Sequence, residues 1–257
     1  MSQSENIPMP PRDSVVIIPT YKERENVAAI IDAVMRLPQP FDVLIIDDNS
    51  PDGTADIVRG KQEEYAGRIH LIERPGKLGL GTAYITGFKW ALTAGYEYIC
   101  EMDADFSHNP DDLVKLRHAC AADGADLAIG SRYITGVNVV NWPMGRVLMS
   151  YYASAYVRIV TGMPVRDTTA GFVCYRRRVL EALPLDEVRF KGYAFQIEMK
   201  FTAYKYGFRI VEVPIIFVNR VLGESKMNSG IFGEAVLGVI QLKLNSLTKS
   251  YPDYSRR

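Results

Sequence analysis

The sequence predicts an α/β protein built on a doubly wound, mostly parallel sheet, and three observations predict it. Short apolar runs recur at 14–18, 41–46, 69–72, 96–102 and 126–130, too brief for helices and continuous enough for strands buried on both faces. Between them lie segments with apolar residues three and four apart, the alternation that gives parallel strands joined by crossover helices. Polar groups follow several of the runs, at Thr20, Asp47, Asp48, Asp103 and Asp105. Sheets of this kind bind ligands there, outside the carboxyl ends of their strands.

Taken in order, SVVII is a strand that Pro19 ends, and the helix after it carries Val27, Ile30, Ile31, Val34 and Leu37 before Pro38 stops it. FDVLII is the second strand; NSPDG is a turn, and a helix starts at Thr54. IHLI is the third strand. KLGLG is a Gly-rich loop leading into a helix over 82–94, yet it matches neither a Walker A loop nor the dinucleotide fingerprint. YEYICEM is the fourth strand and DLAIG the fifth. The second half is less regular: a helix over 146–161, a polar turn DTTAGF entering the strand VCY, a helix over 195–206 with Gln196 and Glu198, and one or two strands over 210–218. The last helix, 231–247, sets Glu234, Gly238, Gln241 and Asn245 as a narrow polar stripe on a wide apolar surface. That pattern fits an interfacial membrane helix, with Lys243 and Lys249 reaching toward lipid phosphates, and equally a helix packed on the protein's own core.

The 30 basic and 30 acidic side chains cancel, so no global field selects nucleic acid. Locally the charge is uneven: carboxylates gather early and arginines later, an arrangement suited to a metal and anionic ligands. The three cysteines, Cys100, Cys120 and Cys174, have no metal-ligand spacing and read as reduced thiols. The N-terminus lacks a signal-peptide core, and no run reaches the ~18 apolar residues of a membrane span. The expectation is a cytoplasmic protein, peripheral on the cytosolic face of a membrane.

Asp103 and Asp105 are the centre of the chemistry. Two carboxylates one residue apart repel, and a hard divalent cation with oxygen ligands offsets both while holding a diphosphate on its other face. A solvated acidic turn is the plain alternative, and the surrounding motifs outweigh it.

The stretches IIPTYKERENV, IIDDNSPDGTA, GKLGLGTAY, EMDADFSHNP, GSRY, DTTAGFVCYRR, GYAFQIEMKF and NRVLGESKM occur in order over about residues 15–228. In these the chain resembles glycosyltransferase family 2 enzymes of GT-A type, and among them the dolichyl/polyprenyl-phosphate mannosyltransferases without transmembrane segments. The resemblance implies a flexible N-terminus at 1–12, a GT-A catalytic domain at 13–229, and an amphipathic interfacial helix with its tail at 230–257. It implies Pro19, Tyr21 and Glu23 around a guanine nucleoside, Asp48 near base and ribose, and Asp103 and Asp105 as ligands of Mg²⁺ or Mn²⁺. Ser107 stands where the family often places Gln, so water or a backbone carbonyl completes the metal's shell if Ser107 does not. Arg132 and Arg146 match cations for an acceptor phosphate. Arg220, Ser225 and Lys226 lie in a loop that closes on both phosphates, and Asp167 and Gln196 lie near the sugar or acceptor. Asp105, Arg132, Arg220 and Lys226 are the residues expected to drive the chemistry.

The implied reaction is inverting, metal-dependent transfer of mannose from GDP-mannose to dolichyl or polyprenyl monophosphate. The implied partners are these two substrates, the membrane surface and, in some members, small membrane subunits. A UDP-glucose enzyme acting on the same lipid and a non-catalytic nucleotide-binding scaffold are the rival readings. His70, His108 and His118 are the only histidines, and a phosphate nucleophile, largely dianionic near neutrality, requires no general base.

Overall fold

The structure, a computed structural model of the 257-residue chain, describes residues 12–220, 222 and 230–255. Its strands are β1 (Ser14–Thr20), β2 (Asp42–Asp47), β3 (Ile69–Glu73), β4 (Tyr98–Glu101), β5 (Leu127–Ser131), β6 (Val139–Val140), β7 (Val173–Arg176), β8 (Ile210–Pro214) and β9 (Phe217–Val218). The longer helices are α1 (Val27–Met35), α2 (Thr54–Glu64), α3 (Leu80–Ala94), α4 (Asp112–Ala121), α5 (Met144–Thr161), α6 (Arg177–Ala182), α7 (Tyr193–Lys205) and α8 (Gly230–Thr248).

Seven strands form one sheet in the order β3-β2-β1-β4-β7-β5-β8, and every neighbouring pair is parallel except those of β7. The predicted parallel sheet is therefore interrupted at one place, where the late strand VCY is inserted between β4 and β5. Crossing from β4 to β5 through β7 brings the turn at 167–171 beside the ends of both strands. Pro19, expected to end β1, lies inside it opposite Ile46. The segment at 210–218 gives two strands, and β9 leaves the sheet to pair with β6.

Both faces of the sheet are covered, which is why β1 and β2 read as continuous apolar runs. Side chains alternate between faces: Val15 and Ile17 pack with Tyr84, Phe88 and Phe195 of α3 and α7, while Val16 and Ile18 pack with Ile30, Val34 and Leu116 of α1 and α4. Each such fully buried aliphatic side chain contributes roughly 1.5–3 kcal/mol. Gly87 lets α3 approach β1 closely, since a Cβ there would lie 2.7 Å from Ile17 Cγ2. The three cysteines are free and buried. Of the expected flexible arm at 1–12, residues 1–11 lie outside the described residues, and Arg12 is tied to Asp42 at 3.0 Å and to the Gly67 carbonyl at 2.8 Å.

The last helix differs from its expected geometry. Gly238, Val239 and Ser246 face the body of the protein, whereas Gln241 and Asn245 of the predicted polar stripe share the open side with Leu237, Ile240, Leu244 and Leu247. Gly238 is required by contact, because a Cβ there would lie 2.5 Å from the Phe190 ring. The two lysines expected to reach for lipid have protein partners: partly buried Lys243 donates through Nζ to the Thr161 carbonyl at 3.2 Å, and exposed Lys249 pairs at the surface with Glu187 at 2.9 Å. α8 lies along α5, where Tyr156 donates to the Val236 carbonyl at 2.8 Å. Met144, Leu148, Tyr152 and Ile159 are exposed on α5. Among the described residues no helix is long and apolar enough to cross a membrane.

Candidate active site

The carboxyl ends of β1, β2 and β4 converge on one edge of the sheet, and the side chains there form two groups. The first surrounds Tyr21. Beyond β1 the chain turns through Lys22, at φ +55°, and the Lys22 and Lys77 ammonium groups lie 5.7 and 5.3 Å from the Tyr21 ring centroid. Glu23 is buried, its backbone N–H donating to Thr54 Oγ1 and its carboxylate accepting from Asn26 Nδ2 at 2.9 Å. Pro19 is partly buried just before this turn.

Asp47 and Asp48 have different tasks. Asp47 is fully buried and closes the turn after β2, accepting from Thr20 Oγ1 and from the Ser50 N–H at 2.8 Å. Asp48 faces Arg74 at 2.5 Å. Burial pushes the Asp48 carboxyl above its usual range, and the guanidinium opposes that shift. Arg74 also donates to Thr82 Oγ1 at 2.7 Å and to the Gly79 carbonyl at 3.3 Å, so it ties Asp48 to the Gly-rich loop. Sequence reasoning did not single out Arg74; the available signal was a cation directly after the third strand.

The second group forms at the end of β4. The loop after Glu101 carries half-buried Asp103, buried Asp105 and, at Phe106, a φ of +58° that turns the chain sharply. Asp105 Oδ1 accepts from the Ser107 N–H at 3.0 Å, and Arg220 Nη2 sits 2.9 Å from Asp105 Oδ2. Acid and cation predicted from distant parts of the sequence thus meet in one place. Arg146 donates to Asn219 Oδ1 at 3.1 Å and stacks 4.0 Å from the Trp142 ring, while Arg132 lies 5.6 Å from the same ring. Arg132 and Arg146 therefore share one indole, and Arg146 bonds to Asn219, the neighbour in sequence of Arg220. Ser225 and Lys226 lie outside the described residues.

Arg132 and Asp167, both expected near an acceptor phosphate or sugar, are bonded to each other. Asp167 is fully buried and accepts from the Arg132 backbone N–H at 2.9 Å, from Nε at 2.7 Å and from Nη2 at 2.6 Å. This fork-to-fork pair fixes the Arg132 guanidinium against Tyr133, Trp142 and Phe217. Asp167 is thus a positioning residue for Arg132, and both residues belong to the wall of the cleft.

Gln196 is likewise buried, donating to Glu101 Oε2 at 2.5 Å and accepting from Lys200 Nζ at 3.1 Å. Lys200 also donates to the Ala170 carbonyl at 2.6 Å. Burial pushes Glu101 up and Lys200 down, and their opposite charges compensate each other beneath the Asp103 loop. His108 is buried between Phe172 and Phe217, and burial holds it down at about 4, so it is neutral at pH 7.

Among the described residues no three His, Cys, Asp or Glu side chains converge as a metal site. The donors present are Asp103, Asp105 and the Ser107 hydroxyl, all oxygen. They fit a hard cation that keeps several waters and takes further oxygens from a diphosphate.

A mostly parallel sheet with acidic loops at its carboxyl edge, one of them met by Arg220 from the far end of the chain, is the fold of a GT-A type glycosyltransferase. The glycosyl transferase family 2 model matches residues 15–183, and the chain belongs to that family. It is 45% identical over 232 residues to polyprenol monophosphomannose synthase of Mycolicibacterium smegmatis, covering 90% of this chain and 87% of that one. It is 47% identical over 225 residues to undecaprenyl-phosphate mannosyltransferase of Micrococcus luteus, covering 88% and 91%. Among solved structures, glucosyl-3-phosphoglycerate synthase of Mycobacterium tuberculosis, in complex with Mn²⁺, UDP and glucosyl-3-phosphoglycerate, shares the fold with a TM-score of 0.66 at 18% identity, covering 95% of this chain and 82% of that one.

Proposed function

We propose that the protein transfers mannose from GDP-mannose to a polyprenyl or dolichyl monophosphate, with inversion at the anomeric carbon. A phosphate oxygen of the lipid forms the new bond to C1 as the bond from C1 to the nucleotide diphosphate breaks, and GDP leaves with that electron pair. The observation that carries this reading is the Arg220–Asp105 contact, which joins the acidic donor loop to the cationic loop in one cleft. The names of the two bacterial relatives support mannose as the sugar and a polyprenyl phosphate as the acceptor.

Each side chain then has a physical task. Tyr21 and Glu23 offer a ring face and a carboxylate acceptor to the base, and Asp48, held by Arg74, faces the nucleoside. A Mg²⁺ or Mn²⁺ bound by Asp103 and Asp105 would offset the charge of the departing diphosphate. Arg146 and Arg220, with Lys226, compensate the incoming phosphate, which needs no base because its second pKa is near ~6. The exposed apolar side chains of α5 and α8 attach the protein to the cytosolic face of a membrane, where its acceptor is held.

The test is turnover of GDP-mannose with a short-chain prenyl phosphate, with and without EDTA, alongside a radiolabelled panel of other nucleotide sugars. Mannosyl transfer abolished by EDTA is expected, and preferential use of UDP-glucose would overturn the donor assignment. Leu237→Asp with Leu244→Asp is expected to abolish sedimentation with liposomes; unchanged sedimentation would refute attachment through α8.

A further inference from the structure

A second cationic pocket lies beside the cleft and takes no part in the chemistry above. It is a cavity of about 290 Å³ lined by Tyr133, Tyr151, Ala155, Arg158 and Arg166. Among the described residues no carboxylate lines it. The Arg158 guanidinium has no hydrogen-bond or ion-pair partner among the described residues, and that of Arg166 reaches only the Ile134 carbonyl, at 3.3 Å. The nearby Glu212 carboxylate is already engaged, accepting from the Arg166 and Asp167 backbone N–H groups and from Ser131 Oγ. The buried Tyr133 hydroxyl lies near Ser150 without a bond of good geometry. Two guanidinium forks and a phenol, gathered without an anion, are the donor set that recognises phosphate.

The position of the pocket narrows the ligand. Tyr151, Ala155 and Arg158 form one stripe of α5, and the adjoining stripe carries exposed Leu148, Tyr152 and Ile159. The Tyr151 and Tyr152 rings touch edge to face at 5.8 Å. A helix whose apolar residues enter the acyl boundary sets its neighbouring cations at headgroup depth. On its other wall, Tyr133 carries the Arg132 guanidinium at 5.3 Å, so the pocket adjoins the wall of the reaction cleft, and neither Asp105 nor Arg220 lines it.

We propose that Arg158, Arg166 and Tyr133 form a phosphate-binding site for the headgroup of an anionic phospholipid, distinct from the acceptor-phosphate site. It rests on the membrane reading of the proposed function, and the experiment separates the two. The full chain is sedimented with phosphatidylcholine vesicles with and without phosphatidylglycerol, as wild type, as Arg158→Gln/Arg166→Gln and as Arg158→Lys/Arg166→Lys. Phosphatidylglycerol is expected to tighten wild-type binding on the order of tenfold, the worth of one or two charge-assisted hydrogen bonds. The glutamine pair should lose that gain, and the lysine pair should lose most of it, because lysine keeps the charge without the fork. A lysine pair that keeps the full gain would reduce the effect to a general field and overturn the site, as would a glutamine pair that keeps it.

A parallel titration with inorganic phosphate follows the arginine Nε–Hε resonances. If wild type binds neither vesicle yet shows a saturable shift absent from the glutamine pair, the lipid assignment falls together with membrane attachment. No saturable shift and no phosphatidylglycerol gain would overturn the site itself.

Discussion

Arg220 Nη2 lies 2.9 Å from Asp105 Oδ2, so this guanidinium rests on the carboxylate expected to bind the metal. The other oxygen, Oδ1, accepts the Ser107 N–H. A divalent cation arriving at Asp105 must share or displace the guanidinium, since like charges at contact distance repel. Arg220→Met is therefore expected to bind Mn²⁺ in the absence of nucleotide on the order of fivefold to tenfold more tightly, the scale of one charge-assisted contact. The same variant should turn over on the order of a hundredfold more slowly for loss of a cation at the transition state. Electron paramagnetic resonance titration of Mn²⁺ and steady-state rates check the two halves separately.

Asp105→Asn keeps the shape of the loop and an acceptor for Ser107 while removing the charge. Mannosyl transfer should fall on the order of a hundredfold or more, with the thermal midpoint changed little because Asp105 carries no core packing. Metal-dependent turnover near the wild-type rate in this variant would refute its assignment as a metal ligand.

Arg74 supports the donor side from behind. Arg74→Met removes the partner of Asp48 and unties Thr82 and Gly79 of the Gly-rich loop. The expected result is a rise in KM for the nucleotide sugar on the order of tenfold, with a smaller change in kcat. Isothermal titration with GDP provides the same comparison without chemistry.

The Arg132–Asp167 pair is buried on both sides, so cutting one partner leaves the other charge unpaired. Asp167→Ala is expected to cost roughly 3–5 kcal/mol of stability. The double variant Arg132→Met/Asp167→Leu should recover much of that in urea unfolding while remaining inactive, because the wall of the cleft loses its cation.

His108 makes stability depend on pH. Its folded value, about 4, is depressed from 6.5 by burial, so the unfolded chain binds the proton more tightly. The stabilisation is complete above pH 6.5 and is lost progressively as pH falls toward 4, amounting to about 3 kcal/mol. His108→Phe keeps the stack on Phe172 and should flatten this part of the stability-against-pH curve. An unchanged slope would mean that His108 binds its proton equally well in the folded and unfolded chains.

The regular half of the fold was legible because local signals suffice there. β1 and β2 are runs buried on both faces, and the helices that follow them repeat at helical spacing, so the residues themselves report the element. The donor-side turn residues were equally legible, since the carboxyl edge of a parallel sheet is where such folds take their ligands. The insertion of β7 between β4 and β5 was not, because VCY carries no mark of which strands it will join. Arg74, Lys200 and Trp142 escaped notice for a similar reason. A cation or an indole acquires its task from the partners that folding sets beside it, as Arg74 does from Asp48, 26 residues away.

The amino-acid sequence by itself determined the α/β class, the order of its early elements and the place of the Asp103 and Asp105 pair after the fourth strand. Those follow from hydrophobic period and residue chemistry, which are properties of short segments. Only the tertiary structure decided that Arg220 rests on Asp105, that Asp167 holds Arg132, and that Lys243 bonds to the Thr161 carbonyl while leucines of α8 face out. Each of these outcomes is a choice among competing partners. Packing distance and desolvation settle it, and both exist only once the chain has closed on itself.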